Sequence, residues 1–392
     1  AIWQALLRVD DVGRDDDFFA LGGHSLNAVR MLNRMRKELS VDLPLTALFE
    51  APTVRALAER ARAQNPALDD AAEEAAAEAA PAAAAEPAAA ERTVPTTEAQ
   101  REIYAAILID PGVSRAYNLS FSWLFEGPFD VDAAAAACRD VVLRHDSLRS
   151  TFAKDGLSLV VRRDVEWRMD RVDLAGLAED ERQERLVALH RDVVETPFDL
   201  ERGPVLRAVA IRLAADRHEL LFGVHHLVCD GWSIGVAMRD FHACFEARRR
   251  GEAPRLPPPV GIADFVAAEQ AWQKTPDAAR HRDYWLGRFA DGAPVMDLPT
   301  ERARPAVKTT SGARRDDLLD RDLERRLRDA AQALGASLAN FVFAAFHVWL
   351  GRATGSRDVV VGLPTSGQLA HELDGVVGHC VNFLPIRSSI DP

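Results

Sequence analysis

The spacing of apolar positions changes along the chain, and each change marks an expected element. From residue 1 to about 64 the spacing is helical. IWQALL repeats apolar residues at helical intervals, and SLNAVRMLNRMRKEL sets Leu26, Val29, Leu32 and Met35 near one face. Between them, DDVGRDDDFFALGGHS is rich in Asp and Gly and reads as a loop. LPLTALFEAPTVRALAERARA supplies a short turn and a last amphipathic helix, whose start is marked by Pro52-Thr53. These runs predict a small helical unit.

The rhythm is then lost. Residues 65–92 read NPALDDAAEEAAAEAAPAAAAEPAAAER, with no aromatic residue and too little apolar bulk to bury a core. This composition predicts a linker, with ends about 30 Å apart as a flexible coil and about 90 Å apart when stretched. From residue 93 helical and strand-like runs alternate. TEAQREIYAAIL reads as helix, AYNLSFSWLFEG as strand and DVDAAAAACRDVVLRHDSL as helix. HELLFGVHHLV reads as strand, SIGVAMRDFHACFEARRR as helix and, after a break at RLPPPV and further helices, RDVVVGLPTS as strand. The alternation predicts an α/β fold with mixed sheets in two lobes.

Composition narrows the function. Of 392 residues, 48% are hydrophobic and 28% charged, an ordinary globular balance with room for more than one core. The formal charge of −12, with no basic stripe to offset it, speaks against nucleic acid or an anionic membrane as partner. The four cysteines, Cys138, Cys229, Cys244 and Cys380, form no CxxC pair, which fits a reducing cytoplasm. No apolar run has the length of a membrane span. The chain opens on AIWQALLRVD and stops at RSSIDP, and is expected to be a piece of a larger polypeptide.

Two stretches carry candidate chemistry. In LGGHSL, Ser25 follows two glycines and precedes a helix, where a phosphate attached to its hydroxyl would meet the positive helix end. The plainer reading of Ser25 is an N-cap. In GVHHLVCDGWSIG, residues 223–235, His225, His226, Asp230 and Gly231 stand where a strand run gives way to a helix run. Adjacent residues of a strand point to opposite faces, so one histidine can serve a given site while the other packs into the sheet. The plainer reading is two core histidines and a turn aspartate. A metal site is disfavoured, since the rings diverge and no CxxC or HxxxH completes a ligand set. The lone His347 and His379 lie in apolar surroundings and read as packing residues.

DDFFALGGHSLNAVRML followed by LPLTALFEAPTVRALA resembles the peptidyl carrier protein of nonribosomal peptide synthetases. The resemblance implies a four-helix carrier at 1–64 with 4'-phosphopantetheine esterified to Ser25. The HHxxxDG run from His225 to Gly231 resembles the core motif of condensation domains, relatives of chloramphenicol acetyltransferase. TEAQREIY (Thr97–Tyr104), RHDSLRSTF (Arg144–Phe152), ADFVAAEQAW (Ala263–Trp272) and VGHCVNFLPIR (Val377–Arg387) are similar to further motifs of that family, in the family's order. The resemblance implies two chloramphenicol-acetyltransferase-like lobes, at 93–262 and 263–392, the second incomplete.

The resemblance implies amide formation: an acceptor amine on a downstream carrier attacks the donor thioester held by this carrier. It assigns the central role to His226, a loop-supporting role to His225, and room for a substrate arm to Gly231. Asp230 is implied to be structural and paired with an arginine, for which Arg144 and Arg149 are the candidates. Implied partners are the downstream carrier, adenylation and other synthetase domains, and a phosphopantetheinyl transferase. Ser233 is followed by Ile234 rather than Trp, unlike epimerization domains, and both histidines stand, unlike heterocyclization domains. An ester-forming or product-releasing acyltransferase and a non-catalytic carrier-docking module are the alternatives.

Overall fold

The computed structural model describes residues 2–7, 9, 11–23, 25–44, 46–65, 91–305 and 309–390. Most of the expected linker, residues 66–90, lies outside them. The N-terminal helices are α1 (Ile2–Leu7), α2 (Ser25–Leu39), α3 (Thr46–Glu50) and α4 (Val54–Gln64). Their core gathers Trp3, Phe18, Met31, Leu32, Met35, Leu48 and Leu57. Leu32 and Met35 thus face inward as their spacing predicts, while the side chains of Leu26 and Val29 lie outside the described set. Thr53 caps α4, its hydroxyl accepting the Ala56 N–H at 3.2 Å, so the turn signal in the sequence marks the true helix start.

The remaining elements run β1 (Arg92–Pro95), α5 (Glu98–Ile109), β2 (Asn118–Glu126), α6 (Val131–Arg144), β3 (Ser150–Phe152), β4 (Ser158–Val161), β5 (Asp170–Asp173) and α7 (Glu179–Glu195). They continue with β6 (Leu206–Ala214), β7 (Arg217–His225), α8 (Gly231–Arg249), α9 (Ile262–Trp272), α10 (Pro276–Arg288), α11 (Arg321–Ala333), α12 (Leu338–Thr354), β8 (Asp358–Ser366), α13 (Gly367–Ala370) and β9 (Val381–Ser389). The described residues form two compact units. One takes those within 1–80, 288–363 and 385–392, the other those within 81–287 and 364–384.

The second unit is built on a four-stranded sheet of order β2-β7-β6-β5, in which β5 runs parallel to β6 and the other neighbours are antiparallel. Alternate residues of β7 face opposite ways. Leu220, Phe222 and Val224 join a core with α6 and α8, while Leu221 joins Leu189 and Val193 of α7. A strand covered on both faces reads as a continuous apolar run, as LLFGV does. Gly223 lets α7 approach, because a Cβ there would meet Val193 Cγ1 at 2.6 Å. The second sheet has order β1-β4-β3, and β8 pairs with β9.

In the first unit, His347 of α12 is buried against Phe343, with ring centroids 4.6 Å apart, and burial lowers its basicity. This is the packing role its surroundings predict. Among the described residues no single helix is long and apolar enough to cross a membrane.

Candidate active site

The HHxxxDG run sits where the central strand of the sheet ends. Strand β7 stops at His225, a 3-10 turn occupies His226–Val228, and α8 begins at Gly231. His226 therefore stands on the turn and not on the strand, contrary to the expectation that both histidines share it. Two local bonds make the turn. The Leu227 N–H donates to His225 Nδ1 at 3.2 Å, and Asp230 caps α8 by accepting the Ser233 N–H at 2.8 Å.

His225 is fully buried. Its Nδ1 accepts from Leu227, which places the ring proton on Nε2, 3.2 Å from Ser114 Oγ. Burial, and then the repulsion of His226 and His379, pushes its pKa down to about 4 despite the Ser114 bond. Near neutral pH His225 is thus an uncharged ring bonded to the turn that follows it. His226 is only partly buried, but its Nδ1 is buried, without a hydrogen-bond partner among the described residues. The accessible edge of the ring is therefore the one carrying Nε2.

Asp230 is fully buried, and its surroundings correct the expected arginine pairing. Oδ1 accepts from Ser233 Oγ at 2.7 Å as well as from the Ser233 N–H. Gln368 Nε2 donates to both oxygens, at 3.3 and 3.0 Å, and the Cys380 N–H donates to Oδ2 at 3.0 Å. Neutral donors thus satisfy the carboxylate from three chain segments. Arg149 instead binds Asp146 at 2.5 Å, beside Arg92. Arg144 binds Asp240 at 2.7 Å, where His145 also reaches the same oxygen at 3.1 Å. Arg144 ties the end of α6 to α8 and Arg149 braces the turn that follows α6; neither touches Asp230.

Gly231 has an ordinary φ, and a Cβ built on it would meet nothing within 4 Å. The space beside the motif is open, and the backbone does not require glycine there. The first motif forms a capping box: Gln100 N–H donates to Thr97 Oγ1 at 3.1 Å, and Thr97 N–H to Gln100 Oε1 at 2.9 Å. The same Gln100 donates through Nε2 to the Leu227 carbonyl at 2.8 Å, and Thr97 Oγ1 to the His379 carbonyl at 3.3 Å. The opening motif is therefore a clamp on the histidine turn.

Gln368, Ser114 and the contact of His379 with His226 are not foreseen from the sequence. The two imidazole rings stand edge-to-face, with centroids 4.7 Å apart and planes at 85°. Ser233 carries a local signal, three residues after a helix cap, but Gln368 lies 138 residues from Asp230 and carries none. No thiol is poised for covalent chemistry here. Burial, and then Asp230, raises both Cys229 and Cys380 above the ordinary thiol range.

Comparison with known proteins agrees with this geometry. The family model described as condensation domain matches residues 90–392, and the one described as phosphopantetheine attachment site matches residues 1–61. Tyrocidine synthase 2 of Brevibacillus parabrevis is 34% identical over 392 residues, which cover 100% of this chain and 10% of that protein. This chain therefore spans a small part of that relative's length. The first condensation domain of the calcium-dependent antibiotic synthetase, solved with a substrate analogue, is similar at a TM-score of 0.64 and 27% identity, over 77% of this chain and 71% of that one. The X-domain solved in complex with OxyB from teicoplanin biosynthesis is similar at a TM-score of 0.63 and 28% identity, over 80% and 69%. This chain belongs to the condensation-domain family of nonribosomal peptide synthetases and joins a phosphopantetheine-attachment domain at residues 1–61 to a condensation domain at residues 90–392.

Proposed function

We propose that the carrier of residues 1–64 delivers a donor acyl thioester to the condensation domain, which transfers it to an amine held on a downstream carrier. Residues 65–92 would be the tether, 93–262 the first lobe and 263–392 the second. The surroundings of Ser25 fit the phosphopantetheine arm. Ser25 opens the 15-residue helix α2, whose N-terminus favours a phosphate. Gly22 before it adopts φ +90, and a Cβ on Gly23 would run into the buried Phe18 ring at 2.4 Å. The arm supplies the thiol that carries the donor acyl group.

In the reaction the amine nitrogen attacks the thioester carbonyl, the C–N bond forms, the C–S bond breaks, and the amine loses a proton as the thiolate leaves. The observation that carries the reading is His226, a partly buried imidazole on a clamped turn with its Nε2 edge accessible. It can accept the amine proton or hydrogen-bond the tetrahedral state. An α-amino group titrates near pH 8, so part of it is already neutral at working pH, and orientation carries much of the effect. His225 and Asp230 hold the turn, and Gly231 leaves room for the incoming arm. Adenylation and other synthetase domains, a phosphopantetheinyl transferase and a cytoplasmic location complete the proposal.

Incubation with coenzyme A and a phosphopantetheinyl transferase should add one arm by mass, lost in Ser25→Ala. In the acylated chain, His226→Ala should lower amide formation by about 10²- to 10⁴-fold with the fold retained. A second reading, a docking module without chemistry, draws on the similarity to the X-domain solved with OxyB. Unchanged acyl transfer by His226→Ala would favour it. An alcohol outcompeting the amine as acceptor would point to the ester-forming alternative.

A further inference from the structure

His379 lies just before β9, buried, with its ring against that of His226. Three consecutive residues of its segment are pinned. The Gly378 N–H donates to Ser233 Oγ at 2.9 Å, and the Gly378 carbonyl lies 2.8 Å from the same hydroxyl. The His379 carbonyl accepts from Thr97 Oγ1, and the Cys380 N–H donates to Asp230 Oδ2. Packing adds to the bonds, since a Cβ on Gly378 would meet Ile262 Cδ1 at 2.6 Å. The backbone is thus fixed on both sides of a ring whose own Nδ1 is buried without a partner among the described residues.

A buried imidazole nitrogen without a partner has a desolvation cost that an aliphatic side chain would avoid. What the ring makes in return is the edge-to-face contact with His226, the arrangement aromatic pairs favour. Burial, and then His226, pushes the His379 pKa down to about 4, against the opposing influence of Asp230. The titratable groups facing it are therefore His226 on the turn, Asp230 at the start of α8, and the neighbouring Cys380, itself held protonated by burial. Near neutral pH His379 is an uncharged wall.

We propose that His379 is a positioning residue for the condensation step: its edge-to-face contact holds the His226 ring in one orientation, Nδ1 inward and Nε2 toward the reacting groups. Asp230 then acts on the reaction by anchoring the segment that carries His379, which accounts for a buried carboxylate reaching the Cys380 amide and the Ser233 hydroxyl shared with Gly378. The proposal rests on the reading of His226 given above.

Its test compares His379→Phe, which keeps a ring, with His379→Leu, which keeps apolar volume only, and with His226→Ala. The full chain, acylated on its arm, reacts with an aminoacyl-N-acetylcysteamine acceptor over about pH 6 to 9, spanning the histidine range. The Phe variant should stay within about threefold of the parent. The Leu variant should lose about ten- to a hundredfold in kcat at unchanged acceptor KM and equal thermal midpoint, the size of effect a misplaced group produces. Equal rates for Leu and Phe, with His226→Ala inactive, overturn the proposal alone. Full activity of His226→Ala overturns the reading beneath it as well. Should the Leu variant not fold, histidine-labelled NMR of the unaltered chain decides. An Overhauser contact between the two rings, with His379 neutral down to about pH 5, supports the proposal. Absence of that contact overturns it.

Discussion

Asp230 shows why a buried carboxylate needs no counter-ion when its neighbours are donors. Four groups, the Ser233 amide and hydroxyl, the Gln368 amide nitrogen and the Cys380 amide, point hydrogens at its two oxygens. Asp230→Asn would turn one oxygen into a donor facing donors. It should lower stability by about 1–3 kcal/mol, read by urea denaturation. A loss under 0.5 kcal/mol, the size of a neutral surface change, would argue against this network. The buried histidines give a second prediction. His225 and His379 have folded pKa values of about 4, below the ordinary 6.5, so as pH falls the unfolded chain takes up protons first. Stability should be full above about pH 6.5 and fall between about 6.5 and 4, on the order of 3 kcal/mol per ring. Asp240 acts in a lower window. Burial alone would raise it, but bonds from His145 and Arg144 outweigh burial and hold it at about 2. Its contribution is lost only as pH falls below about 3.8 toward 2. An unfolding free energy flat from pH 7 to about 4.5 would contradict the histidine assignment.

The elements show what the sequence makes legible. β2 alternates polar and apolar residues and α6 starts at an aspartate cap, Asp130, so both are readable from pattern alone. β6, LRAVAIRLA, is covered on both faces, and its nearly unbroken apolar run could equally belong to a buried helix. The join after β7 is legible as a motif, but its turn begins three residues earlier than the strand pattern suggests, because His225 Nδ1 captures the Leu227 amide. Beyond Ser233, the partners of Asp230 come from α13 and from Cys380 just before β9, joined by tertiary packing that no local pattern encodes. Two glycines test the contrast between packed and open positions. Gly223→Ala should cost about 1–3 kcal/mol, because its Cβ would press on Val193 Cγ1 at 2.6 Å, the Val193 carbonyl at 3.1 Å and Arg207 Cγ at 3.2 Å. Gly231→Ala meets no neighbour and should change stability by less than about 0.5 kcal/mol. If the arm passes there, the same variant should nonetheless slow amide formation, measured as acceptor KM and kcat. A strong loss of stability in Gly231→Ala would assign that glycine to the scaffold instead.

At the scale of the whole chain, the carrier core and the condensation cores are built from separate sets of residues, and the proposed function makes residues 66–90 the covalent connection between donor and site. Residues 66–90 span at most about 85 Å when extended. A donor tethered within that reach is presented at an effective concentration of the order of millimolar, whatever the concentration of the protein in solution. Amide formation by the acylated chain should therefore proceed at a rate independent of protein concentration. Cleavage at a protease site introduced between residues 66 and 90 should make the reaction bimolecular. At micromolar protein the initial rate should fall by about 10²-fold or more, and adding back acylated carrier should restore it toward saturation. An unchanged thermal midpoint of the condensation part would establish that the site stays intact after cleavage. A rate unaffected by cleavage would mean that the condensation domain holds its carrier by affinity and not by the tether. A rate that never depended on the Ser25 arm would mean that the donor comes from another carrier altogether.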